Sequence, residues 1–91
     1  MESPYQPIAC RLHDDYELAV LRRAVLDLSW QGEAGEVCSV RLVPEDVFTR
    51  QGAEYLAGRT AEGTPHEIRL DRILSACRVA TGEPLGMASK N

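Results

Sequence analysis

The stretch LDLSWQGEAGEVCSVRL, residues 26–42, decides the fold because apolar and polar side chains alternate on both sides of a glycine-containing turn. A period of two is typical of a strand that buries one face. Gly32 and Gly35 can adopt the positive φ angles that a tight turn needs. The stretch therefore predicts two neighbouring strands, whose inward side chains would be Leu26, Leu28 and Trp30 in the first and Cys38, Val40 and Leu42 in the second.

Three further strands are expected downstream, over residues 54–59, 67–70 and 73–80. A polar turn containing Gly63 separates the first two of these. Pro44-Glu45-Asp46 interrupts the alternation of the second strand, and we expect a short turn of helix over 47–50.

A single helix is expected upstream of the strands, beginning near His13 and continuing to Arg23 without a breaking residue. Asp14 or Asp15 would cap its first turn, since a short carboxylate can accept from the free amides there. The buried face of the helix would consist of Leu18, Leu21 and Val25.

The order of these elements predicts a mainly β protein with one N-terminal helix. Five short antiparallel strands are too few for two stacked sheets, whereas closure into a small SH3-like or Sm-like barrel removes exposed edges. We expect one domain over residues 1–91, with an irregular arm over 1–7, a folded part over 8–80 and a flexible tail over 81–91.

The charge is small and unevenly distributed. The net charge is -4, with nine acids and four arginines in residues 1–46 but five acids and six bases in residues 47–91. An acidic front half argues against binding to a phosphate backbone, which relies on Lys and Arg. It suits a basic partner, although a small net charge also serves solubility.

The N-terminal sequence has no basic start followed by an apolar run, and no stretch reaches the ~20 apolar residues of a spanning helix. We therefore expect a cytoplasmic protein without membrane contact. Three widely spaced cysteines in such a protein are expected to be reduced.

Four short blocks resemble the Rho-binding antiterminator (Rof) family, in the right order and at the right spacing between residues 5 and 79. They are Tyr5-Gln6-Pro7-Ile8 with Cys10, then Glu17-Leu18-Ala19, then Asp46 leading into Glu54-Tyr55-Leu56, and finally Arg69-Leu70-Asp71-Arg72-Ile73. One stretch departs from the pattern, because Arg11-Leu12-His13 stands where the family tends to place acids and a tyrosine.

The resemblance implies an Sm-like fold in which a helix caps a five-stranded barrel. It also implies that the chain binds the N-terminal RNA-binding domain of the termination factor Rho, blocks its access to nascent RNA and so reduces Rho-dependent termination. Carboxylates at matching places would then occupy a basic RNA groove.

Eight carboxylates are candidates for contact with Rho. Asp14, Asp15 and Glu17 cluster at the helix start, where capping would also explain their placement. Glu45 and Asp46 follow a proline and would more simply cap the next turn. The remaining three are Glu62, Glu67 and Asp71, which lie in or beside the turn between the third and fourth strands. For Asp71, an internal salt bridge to Arg69 or Arg72 is an equal alternative.

Other classes of site are not expected. Cys10 and His13 are three residues apart, but two ligands are too few for a zinc site and no other Cys or His is near in sequence. No motif predicts a nucleophile, a phosphate loop or a cofactor, so we expect no enzyme activity. The alternative to Rho binding is an Sm-like RNA-binding module whose basic face would consist of Arg50, Arg59, Arg69, Arg72 and Arg78. We expect a monomer.

Overall fold

The computed structural model describes residues 4–86, which form one helix and a five-stranded antiparallel sheet. The strand order in the sheet is β4-β3-β2-β1-β5, which confirms the mainly β class. Residues 1–3 and 87–91, which include parts of the expected arm and tail, lie outside the described residues. The elements are α1 (Cys10–Arg22), β1 (Leu26–Gln31), β2 (Val37–Arg50), β3 (Ala53–Arg59), β4 (Pro65–Arg69), a 3₁₀ turn (Leu70–Arg72) and β5 (Ile73–Arg78).

The 14-residue strand β2 belongs to two ladders, and the expected break at Pro44 is wrong. Residues 37–42 pair with β1 and residues 43–50 pair with β3, with a register shift between Pro44 and Asp46. A bulge of this kind bends a strand and accommodates a residue that cannot donate to the ladder. The short helix expected over 47–50 is therefore strand.

Gly58 lets β3 approach this bend. A Cβ atom at Gly58 would lie 2.5 Å from the carbonyl oxygen of Val43 and 2.7 Å from Cδ2 of Leu42, closer than packed atoms allow. The bend in β2 and the glycine opposite it therefore form one structural unit, in which Pro44 pairs with Gly58 and is itself buried.

The helix begins earlier than the sequence predicts, and it buries another face. Its N-cap is Ala9, which makes no side-chain cap, so the capping role expected for Asp14 or Asp15 is wrong. Tyr16 and Ala19 are its buried residues, whereas Leu21 is 79% exposed. The face that packs on the core runs through Leu12, Tyr16, Ala19 and Val20, which leaves Leu21 outside it, and the helix ends at a left-handed Arg23 before Val25. The buried pair instead joins a core that includes Leu26, Leu28, Leu42, Leu56, Ile68 and Leu70.

The sheet has β4 and β5 at its two ends, and no ladder joins these strands within residues 4–86. Closure into an Sm-like barrel therefore stays a prediction. After β5 the chain turns back along that strand: the amide of Leu85 donates to the carbonyl of Ala76, and the amide of Arg78 donates to the carbonyl of Glu83. Leu85 is buried in the core, although it was expected to lie in the flexible tail.

Among the described residues, α1 is neither long nor apolar enough to cross a membrane.

Candidate protein-binding surface

Three carboxylates form an acidic face where α1 passes the start of β3. We define the acidic face as Asp14, Glu17 and Glu54. The helical spacing of three places Asp14 and Glu17 on one side, as the sequence predicts, and both are exposed. Glu54 comes from β3, and its long-range placement beside α1 could not be predicted from helical spacing. Within residues 4–86, no Arg or Lys forms an ion pair with any of the three.

Glu54 is held in position from both sides. Its Oε2 lies 3.1 Å from Nε2 of His13, and its Oε1 accepts a 2.9 Å hydrogen bond from the hydroxyl of Tyr5. Burial of Tyr5 and, to a smaller extent, its hydrogen bond to Glu54 raise the pKa of the phenol above its usual value. The described part of the N-terminal arm is therefore attached to the sheet through Tyr5.

Asp15 does not join the acidic face. Its side chain is half-buried, and Oδ2 accepts a 2.8 Å hydrogen bond from the amide of Gly86. This contact links α1 to the segment after β5. Asp15 therefore stabilises the fold through this contact, which neither the expected capping role nor the expected partner-binding role includes.

Asp71 also has an internal role. Its two carboxylate oxygens accept from Arg69, at 3.0 Å from Nε and 2.6 Å from Nη2, and Oδ2 also accepts from the amide of Gln6 at 2.9 Å. The two side chains are only 5% and 7% exposed. Burial alone would raise the pKa of Asp71, but these hydrogen bonds outweigh burial and hold the pKa below its usual value. The internal salt bridge is the alternative that the structure supports.

The remaining candidates are exposed but scattered over the sheet. Glu45 lies 3.4 Å from Arg59, and Glu67 lies 3.0 Å from Arg50. Asp46 lies in the β2 bulge, so neither it nor Glu45 caps a helical turn. Asp46 and Glu62 make no ion pair within residues 4–86.

Two known proteins share over a third of their aligned residues with this chain. No family model matches the chain. The chain is 36% identical over 75 residues to Protein rof of Escherichia coli (strain K12), covering 82% of this chain and 83% of that relative, and it matches Protein rof of Shigella flexneri equally well.

The chain belongs to the Rof family.

In this Rof-family chain, the arginines of the alternative basic face are largely neutralised. The structure pairs Arg50 with Glu67, Arg59 with Glu45 and Arg69 with Asp71. Arg78 also lies 3.9 Å from Glu83. Such pairing leaves little positive potential to attract a phosphate backbone.

A second surface of this Rof-family chain was missed by the sequence analysis. Phe48 and Tyr55 are partners across the β2–β3 ladder, and their rings stack at 5.4 Å. The guanidinium of Arg50 lies 4.9 Å from the first ring centre and 5.3 Å from the second. The expected break in β2 concealed this pair, because a helical turn over 47–50 would separate the two rings.

Proposed function

We propose that this chain inhibits Rho-dependent transcription termination by binding the RNA-binding domain of Rho and blocking its access to nascent RNA. We further propose that it acts in the cytoplasm as a monomeric binding protein without enzyme activity. Membership of the Rof family supports the proposal, because the resemblance implies this partner. The observation that carries it is the acidic face, whose three carboxylates have no Arg or Lys partner within residues 4–86.

The proposed mechanism is competition between carboxylates and phosphates. A groove for single-stranded RNA combines a basic track with stacking surfaces. Asp14 and Glu17 project from a helix that is fixed by Tyr16 and Ala19 in the core, so the two charges are presented in a defined arrangement. Opposite charges steer the encounter, and salt screens exposed charges over roughly 10 Å at 0.1 M. Binding should therefore weaken as salt rises.

Charge reversal on α1 tests this proposal. We expect the variant Asp14→Lys/Glu17→Lys to lose inhibition by roughly tenfold or more, since the new charges repel a basic groove. The measurement is displacement of a labelled cytidine-rich RNA from purified Rho, titrated with the chain at low and moderate salt. Neither carboxylate caps the helix, so the free energy of unfolding should fall by less than about 1 kcal/mol.

A matched control separates local charge from net charge. Glu33→Lys/Glu83→Lys also takes the formal net charge from -4 to 0, since each reversal adds two, but it acts in the β1–β2 turn and after β5. We expect this control to inhibit like the parent. Equal inhibition by the parent and the α1 variant would reject the acidic face as the contact surface. A parent chain that leaves Rho–RNA binding unchanged in large excess would reject the function.

A further inference from the structure

His13 lies among three carboxylates, Asp14 and Glu17 from its own helix and Glu54 from β3. On a helix, residues three or four positions apart are neighbours, so Glu17 lies beside both Asp14 and His13. One ligand atom each from His13, Asp14 and Glu17 lies within 4.8 Å of the others. Nδ1 of His13 is 3.8 Å from Oε1 of Glu17. From the sequence, only Cys10 was a candidate partner for this histidine.

The orientation of the His13 ring is fixed from its other side. Nε2 lies 3.1 Å from Oε2 of Glu54, so this ring nitrogen faces the Glu54 carboxylate. Tyr5 in turn donates to the second oxygen of Glu54. This chain of contacts directs Nδ1 of His13 towards Glu17. Metal-binding histidines are typically oriented in this way, with one ring nitrogen donating to a carboxylate and the other facing the metal.

Nδ1 of His13 and the carboxylate of Glu17 can each offer a lone pair to a metal ion placed between them. Asp14 provides a third donor at the same place. Beside these side chains lies an open cavity of about 250 Å³, lined by Ile8, Cys10, His13, Asp14 and Glu54.

We propose that His13, Asp14 and Glu17 bind a divalent transition-metal ion of the Zn²⁺ class, and that Glu54 holds the imidazole for it. One imidazole nitrogen and two carboxylate oxygens are a donor set that Zn²⁺ accepts, with water in the fourth position. Mg²⁺ and Ca²⁺ prefer oxygen alone. The departure Arg11-Leu12-His13 from the family pattern supplies the nitrogen donor of this site.

Metal binding would change the acidic face. An ion coordinated by Asp14 and Glu17 neutralises two of its three carboxylates and covers their oxygens. If the face contacts Rho, Zn²⁺ would weaken that contact. This consequence rests on the proposed function, whereas metal binding itself does not.

The site is tested by titrating chelator-washed chain with Zn²⁺ in a calorimeter and with Co²⁺ in a spectrophotometer. We expect one saturable site per chain, which is lost in His13→Gln and in Asp14→Asn/Glu17→Gln. Glu54→Gln should weaken binding by roughly tenfold, as typically follows loss of a carboxylate that orients a metal-bound histidine. The matched control is His66→Gln, which removes the other histidine and should bind like the parent.

Two results would overturn the site. One is unchanged affinity in both ligand variants. The other is a Co²⁺ spectrum dominated by a thiolate-to-metal band, which would place the ion on one of the three cysteines. The RNA-displacement assay is then repeated with Zn²⁺, which should reduce inhibition by the parent but not by His13→Gln. Failure of the chain to inhibit Rho while Zn²⁺ still binds would reject the proposed function and leave the site standing.

Discussion

At the scale of single residues, similar ion pairs contribute different amounts to folding stability because their burial differs. Asp71 and Arg69 are almost completely buried, whereas Glu67 and Arg50 are about half exposed. Removing one charge from a buried pair takes away a strong attraction that water does not screen. An exposed pair loses little, since water screens it.

We therefore predict that Asp71→Asn lowers the free energy of unfolding by about 3 kcal/mol. The matched control Glu67→Gln should cost less than about 1 kcal/mol. Urea denaturation at neutral pH measures both. Equal effects of the two variants would contradict the role of burial.

The stability that Asp71 provides should depend on pH. Its pKa lies below the usual value of about 4, so the unfolded chain binds a proton more readily than the folded chain does. The contribution is therefore present above roughly pH 4 and is lost as the pH falls through the lower, folded-state pKa. We predict that the difference in unfolding free energy between the parent and Asp71→Asn is smaller at pH 3 than at pH 7. Urea denaturation at both values tests this, and a constant difference would reject the interpretation.

The sequence predicts a residue's role well when its partners are near in the chain, and poorly when they are distant. Asp14 and Glu17 share an exposed helix side as their spacing indicates. Asp15 meets Gly86, and Glu54 meets Tyr5 and His13, through contacts made only by the folded chain. No local pattern encodes such contacts, so one candidate was misplaced and one member of the acidic face was missed.

At the scale of elements, the alternation of residues 26–42 predicted the β1–β2 pair correctly, because each strand buries one face. The same reasoning failed at Pro44, since proline is compatible with a strand only where the ladder is irregular. A bulge depends on the partner strand as well as on the sequence of the bulged one. The prediction that Val25 lies on the buried face of the helix was wrong for a related reason, because periodicity does not show that the helix ends at Arg23.

Gly58 provides a test of the bend in β2. We predict that Gly58→Ala lowers the free energy of unfolding by about 1–3 kcal/mol, because the added methyl meets the Val43 carbonyl and the Leu42 side chain. The control Ala57→Ser changes the half-buried neighbour of Gly58, whose side chain points to the opposite face of the strand, and it should change stability by less than about 0.5 kcal/mol. Thermal or urea unfolding measures both. A Gly58 variant as stable as the parent would show that the strands separate here without cost.

At the scale of the whole molecule, the distribution of ion pairs decides between the two binding functions. Most arginines of the alternative basic face have acidic partners, whereas the acidic face has no Arg or Lys partner within residues 4–86. We predict that the isolated chain shows no saturable binding to single-stranded RNA near 0.15 M salt. Fluorescence anisotropy with a labelled oligonucleotide tests this. Tight binding that falls steeply with salt would instead favour the RNA-binding module.

Because β2 serves both ladders, the molecule has no smaller part that can fold alone. A cut between residues 42 and 43 would leave β1 on one fragment and β3 on the other, with Leu26 and Leu56 of the shared core separated. We expect each fragment to be unstructured by circular dichroism, and an equimolar mixture to regain strand signal. We therefore expect this long strand to make folding an all-or-none event, in which neither end of the sheet opens as an independent unit.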